Sequence, residues 1–327
     1  MNSADQPSLF DEVRTSCAHV AAVSSHVRIH PERIENFAAS IDLTAPANDP
    51  GQDEIGDVES TVAFSLTLNS INFGSGYFPY LRKRPGHSGY HTVAASLRDW
   101  IAATGPITTQ RLASQTVNDW AEVFGQELDG SPAQELMELF TLALHDLAAF
   151  VDRTGAGSFL AVVDAADGSA DRFAQSLSTM PFFHDVHHHE LTGPVSLFKR
   201  AQIAAHDLYV TFDGRGPGAF DDIDQLTMFA DNLVPHVLRV EGVLAFSPEL
   251  LARIEAVDDI TVGSTQEIEI RACGVHAVEL LADQLRAYHG LSPTELTTGT
   301  VDNLLWNLGA APRYKDVPRH RSRCVYY

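Results

Sequence analysis

"STQEIEIRACGVHAVELLADQLRAY", residues 264–288, carries the pattern that decides the fold class. Ser264 with Glu267 three residues on is a capping-box pair, in which a hydroxyl and a carboxylate satisfy amides at a helix start. At 100° per residue, Ile270, Val275, Val278, Leu281, Ala282 and Leu285 fall on one side. The stretch therefore predicts a long amphipathic helix. Two charges, Glu267 and Arg271, lie inside its apolar sector, four apart with the glutamate first, the favourable order for a pair. An unpaired charge buried there is costly, so the two read as partners. They either serve structure alone or organise a nearby carboxylate or ligand. Gly274 lies on the same side, where a backbone or a ligand can approach closely.

Outward from this stretch, helical signals dominate. "SPAQELMELFTLALHDLAAFV" (131–151) offers Ser131 as N-cap, Pro132 at the first helical position and Gln134 to close a capping box. "HPERIENFAASI" (30–41) has a proline in its first turn, and "TVDNLLWNLG" (300–309) reads as a short helix ending at Gly309. "VSLFKRAQIAAHDLYVTF" (195–212) is a long candidate stopped by "DGRGPG". "DDIDQLTMF" (221–229) suggests another helix, starting at Asp222. "FLAVV" (159–163) and "GPVSL" (193–197) fit strand or helix equally. No alternation of strand and helix signals points to a doubly wound sheet. The expected architecture is mainly α with little β: one helical domain over 1–327, or one with two lobes. Residues 1–12 are expected to be loosely ordered and 44–57 to form a surface loop.

The 327 residues are 44% hydrophobic and 20% charged, ordinary for a soluble globular chain. No apolar run is long enough to span a bilayer, so no membrane partner is expected. "MNSADQPSLFDEV" lacks the basic and apolar regions of a signal peptide. Cys17, Cys273 and Cys324 are odd in number and widely spaced, which fits a reducing, cytoplasmic compartment better than a disulfide framework. A net charge of −21 repels polyanions, so intact nucleic acid is not an expected partner. A small anion is still acceptable where basic groups gather. The last fifteen residues hold five of the 22 Lys and Arg.

Within "LTMFADNLVP" (226–235), Leu226, Phe229, Ala230, Leu233, Val234 and Val237 recur at helical spacing around a carboxylate, Asp231. Pro235 suits the first turn of a new helix, so the preceding helix is expected to end near Asp231–Asn232. Asp231 then sits in a helix–helix corner, as a cap or as a chemical group. Lys199 stands beside an apolar stripe and either snorkels to water or binds phosphate. Asp302 and Trp306, four apart, are a capping acid and a core indole, or together a cradle for a flat heteroaromatic ring. "HDVHHHE" (184–190), expected in a loop, has metal-like spacings at His184, His187, His188 and His189. His145–Asp146 and His206–Asp207 match the dipeptide of metal-dependent HD-type phosphohydrolases.

"KRAQIAAHDLYVTFDGRGPGAFDDIDQLTMFADNLVPHVLRVEGVL" (199–244), "QEIEIRACGVHAVELL" (266–281), "VDNLLW" (301–306) and the terminal "PRHRSRCVYY" (318–327) closely resemble the queuosine salvage protein family. "LNSINFGSGYFPYL" (68–81) and "SGYHT" (88–92) fit as well. The resemblance implies a helical fold similar to DNA glycosylases. It implies hydrolysis of queuosine 5′-monophosphate to queuine and ribose 5-phosphate, with no metal and no cofactor. The aspartate of the family's "MFAD" motif is Asp231 here, acting as nucleophile or as stabiliser of the transition-state cation. Asn232 and His236 depart from the tyrosine and glutamine common at these positions.

Such a reaction builds positive charge at C1′ and the ring oxygen, which a fixed carboxylate stabilises. On this reading Asp302 accepts from the guanine-like edge of the base, and Phe229 or Trp306 stacks on it. Lys199, Arg271 with its partner Glu267, and the tail's His320, Arg321 and Arg323 are the candidates around the 5′-phosphate, and His26 in "SSHVRI" is a further ligand contact. Two other functional classes stay open: a metal-dependent HD-type phosphohydrolase and a non-catalytic helical module that binds a base or nucleotide.

Overall fold

A computed structural model describes residues 7–44 and 54–327. The chain is mainly α-helical and divides into two compact units. The first takes the described part of Met1–Asn48 with Asp185–Gln202 and Asp222–Ser322. The second takes the described part of Asp49–His184 with Ile203–Asp221 and Arg323–Tyr327.

The first unit is built around the helix Thr265–His289, which packs against the helices Leu9–Val23, Pro31–Ala38, Leu233–Val240 and Thr298–Leu308. Its first turn is capped as expected in one direction: the Ser264 hydroxyl accepts from the Glu267 amide. Glu267 reaches back to the amide of Gly263 rather than Ser264. Two small antiparallel ladders complete the unit, Val27–Ile29 with Leu244–Phe246 and Val186–His189 with Gly193–Ser196. "GPVSL" is therefore a strand, and "HDVHHHE" is the other arm of its hairpin rather than a loop.

The second unit is organised on the helix Pro132–Gly155, packed by Val58–Ser70, Thr109–Ser114, Val117–Val123 and Phe159–Asp164. "FLAVV" is helical here. Ser131 precedes Pro132 but makes no side-chain cap, and Gln134 accepts from the amide of Gly130 rather than that of Ser131. Cys17, Cys273 and Cys324 are buried, and no disulfide forms among the described residues. Among the described residues no helix is long and apolar enough to cross a membrane.

Two stretches differ from expectation. The first helix begins at Leu9, inside the segment 1–12 expected to be loose, while residues 1–6 lie outside the described residues. Of the expected loop 44–57, residues 45–53 also lie outside them, and Asp57 caps the helix Val58–Ser70 through the Ser60 amide. The other difference bears on the site. Residues 226–231 form no helix: a single 3₁₀ turn, Ile223–Gln225, gives way to irregular chain. The reason is that distant side chains take the backbone groups a helix would have used. Gln202 accepts from the Thr227 amide at 2.9 Å, Asp302 from the Phe229 amide at 3.1 Å, and Arg271 Nε donates to the Ala230 carbonyl at 2.9 Å. The apolar residues of the segment are buried all round, so their spacing mimics a helix without requiring one.

Candidate active site

Asp231 ends this irregular segment at the start of the helix Leu233–Val240. Its Oδ1 accepts from the amides of Leu233 and Val234, both at 2.9 Å. The carboxylate is thus a cap, as the structural reading required, and it is 8% exposed. Burial pushes its proton affinity up, while the Lys199 ammonium, the two amides and Arg319 pull it down, and burial prevails.

The corner is held close to its neighbours by two glycines. A Cβ on Gly274 would meet Pro235 Cγ at 2.9 Å, and one on Gly309 would meet Leu233 Cδ1 at 2.8 Å. The close approach expected at Gly274 is therefore made by a protein segment, the corner itself.

Arg271 is fully buried and does more than pair with Glu267. Its Nη1 and Nη2 bond the two oxygens of Asp185 at 3.0 and 2.5 Å, while Glu267 is at 3.4 Å. With Nε on the Ala230 carbonyl, the guanidinium ties Asp185 to the backbone just ahead of Asp231. Burial alone would raise the Asp185 carboxyl, but Arg271, aided by a hydrogen bond from His187, holds it well below the usual carboxylate range. Asp185 also receives the Leu197 amide on its carbonyl at 3.0 Å and the Lys199 amide on Oδ2 at 3.5 Å. Phe198, between them, takes φ 46°, a left-handed conformation rare for a bulky residue. Lys199 is so placed that burial pushes its ammonium down and Asp231, then Asp302 more weakly, push it up.

Asp302 is buried on the helix Thr298–Leu308 and bonds the Phe229 amide, so Phe229, Asp231, Asp302 and Lys199 share one corner. Trp306 lies one turn further along that helix and is half-buried. His320 touches the corner through its carbonyl, which accepts from Asn232 Nδ2 at 3.3 Å. Its ring is buried, neither nitrogen has a hydrogen-bond partner, and burial with nearby Arg319, His236, Arg239 and Arg271 keeps it neutral. The other departure from the family pattern, His236, bonds the Tyr314 carbonyl at 2.8 Å and is pushed down by burial to about 4.

Two candidates are occupied elsewhere. His26 bonds Glu269 through its amide at 2.6 Å and faces Ser247 through its ring. Arg323 belongs to the second unit, where it pairs with Glu135 at 3.6 Å. Arg321 lies on the extended tail, its carbonyl accepting from the Ile260 amide at 2.7 Å. Among the described residues no three His, Cys, Asp or Glu side chains gather as a metal site. Sequence reasoning missed Asp185 and Arg319. Asp185 stands in the histidine-rich run, and the demand of a buried Arg271 for a second acid was the signal that could have found it.

The model of the family described as queuosine salvage protein matches residues 52–327. The chain belongs to the queuosine salvage protein family. Relatives named queuosine 5′-phosphate N-glycosylase/hydrolase include the following three. That of Sphaerobacter thermophilus is 33% identical over 82% of this chain and 82% of its own. That of Dictyostelium discoideum is 30% identical over 96% and 98%, and that of Mus musculus 31% over 74% and 72%. The part matched to the queuosine salvage family contains every residue of the Asp231 corner and leaves out His26.

Proposed function

We propose that this chain hydrolyses the N-glycosidic bond of queuosine 5′-monophosphate, releasing queuine and ribose 5-phosphate. The observation that carries the proposal is a buried carboxylate, Asp231, locked by two helix amides inside the segment that the queuosine salvage family shares. The names of the relatives supply the substrate class.

Both amides fall on Oδ1, which leaves Oδ2 as the oxygen to face C1′. As the bond to the base nitrogen lengthens, positive charge develops on C1′ and the ring oxygen. A fixed anion in a poorly solvated corner stabilises that charge without reorganising, or bonds to it. Water then supplies its oxygen to C1′ and a proton to the departing nitrogen. Lys199 favours the ionised form of Asp231, Asp302 accepts from the amino edge of the base, and Phe229 or Trp306 packs on its ring. Glu267 and Asp185 act through Arg271, which orients the corner rather than the ligand. The net charge of −21 favours a mononucleotide over intact tRNA, and three widely spaced cysteines fit the cytoplasm.

The test is incubation with queuosine 5′-monophosphate, with and without chelator, scoring released queuine, ribose 5-phosphate and phosphate. Equal release of queuine and ribose 5-phosphate in both arms is expected. Chelator-sensitive release of phosphate would instead favour an HD-type phosphohydrolase. Binding with no release would make the chain a ligand-binding module.

A further inference from the structure

Along the tail, residues 319–322, burial alternates: His320 and Ser322 are buried, while Arg319 and Arg321 are half-buried. Extended chain puts alternate residues on opposite faces, so the two arginines share one face. The tail is pinned at two points, at Arg321 by the Ile260 amide and at His320 by Asn232, the residue after Asp231. The two guanidinium charges act on each other, and Arg319 also feels Asp231. Neither side chain makes an ion pair or a hydrogen bond with a described residue.

Other arginines of the unit that are shielded from water are engaged. Arg271 is matched by Asp185, Arg14 by Glu279, Arg286 by Asp283, and Arg239 bonds the Pro318 carbonyl. In a chain with 43 acids and 22 bases, two guanidinium groups repel each other beside a catalytic corner with no acid bonded to either. A doubly charged anion relieves that repulsion, and the fork of guanidinium donors matches phosphate oxygens.

We propose that Arg319 and Arg321 form the clamp for the substrate's 5′-phosphate, and so set the preference for a nucleotide over a nucleoside. This rests on the hydrolase reading above. The clamp excludes the other tail candidates on structural grounds: the His320 ring faces the interior and is neutral, and Arg323 is engaged with Glu135.

The experiment measures kcat/KM for queuosine 5′-monophosphate and for queuosine in the wild type, Arg319→Ala, Arg321→Ala and Arg319→Lys. Arg28→Ala serves as a control of equal charge on an exposed arginine. The ratio of the two values should fall about 10- to 100-fold in each alanine variant, the range for losing a charged hydrogen bond. It should recover in part with lysine and stay at the wild-type value in Arg28→Ala. A ratio that does not fall, whether both substrates suffer equally or neither does, overturns the clamp. If the wild type cleaves neither substrate, the hydrolase reading fails by itself. Titration with ribose 5-phosphate then decides: binding at least about 10-fold weaker in the alanine variants upholds the clamp. No binding to the wild type, or equal binding to all, overturns it.

Discussion

Arg271 Nε donates to the carbonyl of Ala230 at 2.9 Å, one residue before the Asp231 carboxylate. The same guanidinium is clasped by Asp185. A buried ion pair is weak support for stability in general, since desolvation offsets attraction. Here it has a second effect: it fixes a stretch of backbone that has no ladder of its own.

Removing one partner should therefore be costly. Asp185→Ala leaves the Arg271 charge buried and should lower stability by about 3–5 kcal/mol. Urea denaturation of the variant beside wild type measures this. A loss below about 1 kcal/mol, the size of an exposed pair, would mean that Arg271 finds water or another acid.

The pH dependence of activity should report the Lys199–Asp231 pair. Burial raises the Asp231 carboxyl and Lys199 counters it. In the proposed mechanism Asp231 acts as the anion, so activity should fall as pH drops through its folded pKa. Lys199→Met removes the counter-charge, raises that pKa and should move the acidic limb of the kcat/KM profile to higher pH. A limb that stays in place, or moves down, contradicts the pairing.

Gly274 sets how closely the corner approaches the long helix. Gly274→Ala puts a methyl 2.9 Å from Pro235 Cγ and 3.4 Å from Met228 Cε. Overpacking of this kind costs about 1–3 kcal/mol. Because the displaced element carries Asp231, kcat should fall as well as the melting temperature. A variant that melts lower but turns over normally would show that the corner absorbs the shift without moving its carboxylate.

What the sequence made legible was local. The helix Thr265–His289 is long, capped and periodic, and its boundaries follow from neighbouring residues. Pro235 marked the corner at Asp231 for the same reason, and the role proposed for the carboxylate came from the "MFAD" motif through a family resemblance. The helix expected ahead of Asp231 is absent because Gln202, Asp302 and Arg271 supply its hydrogen bonds from far along the chain, which no window of sequence reveals. Asp185 escaped notice because its partner is 86 residues away and its neighbours are histidines that suggested metal. The tail looked uniformly basic. Only the alternation of burial separates Arg319 and Arg321 from the inward-facing His320.

The central claim is that Asp231 acts on the developing cation and not merely as a helix cap. Asp231→Asn keeps an oxygen to accept the Leu233 and Val234 amides while removing the charge, so fold and substrate affinity should persist. The decisive measurement is single-turnover release of queuine from queuosine 5′-monophosphate by this variant, with calorimetric binding of the same substrate alongside. The account predicts near-wild-type affinity and no detectable queuine, a loss confined to the rate constant. Release at a rate close to wild type would reduce Asp231 to a cap and contradict it.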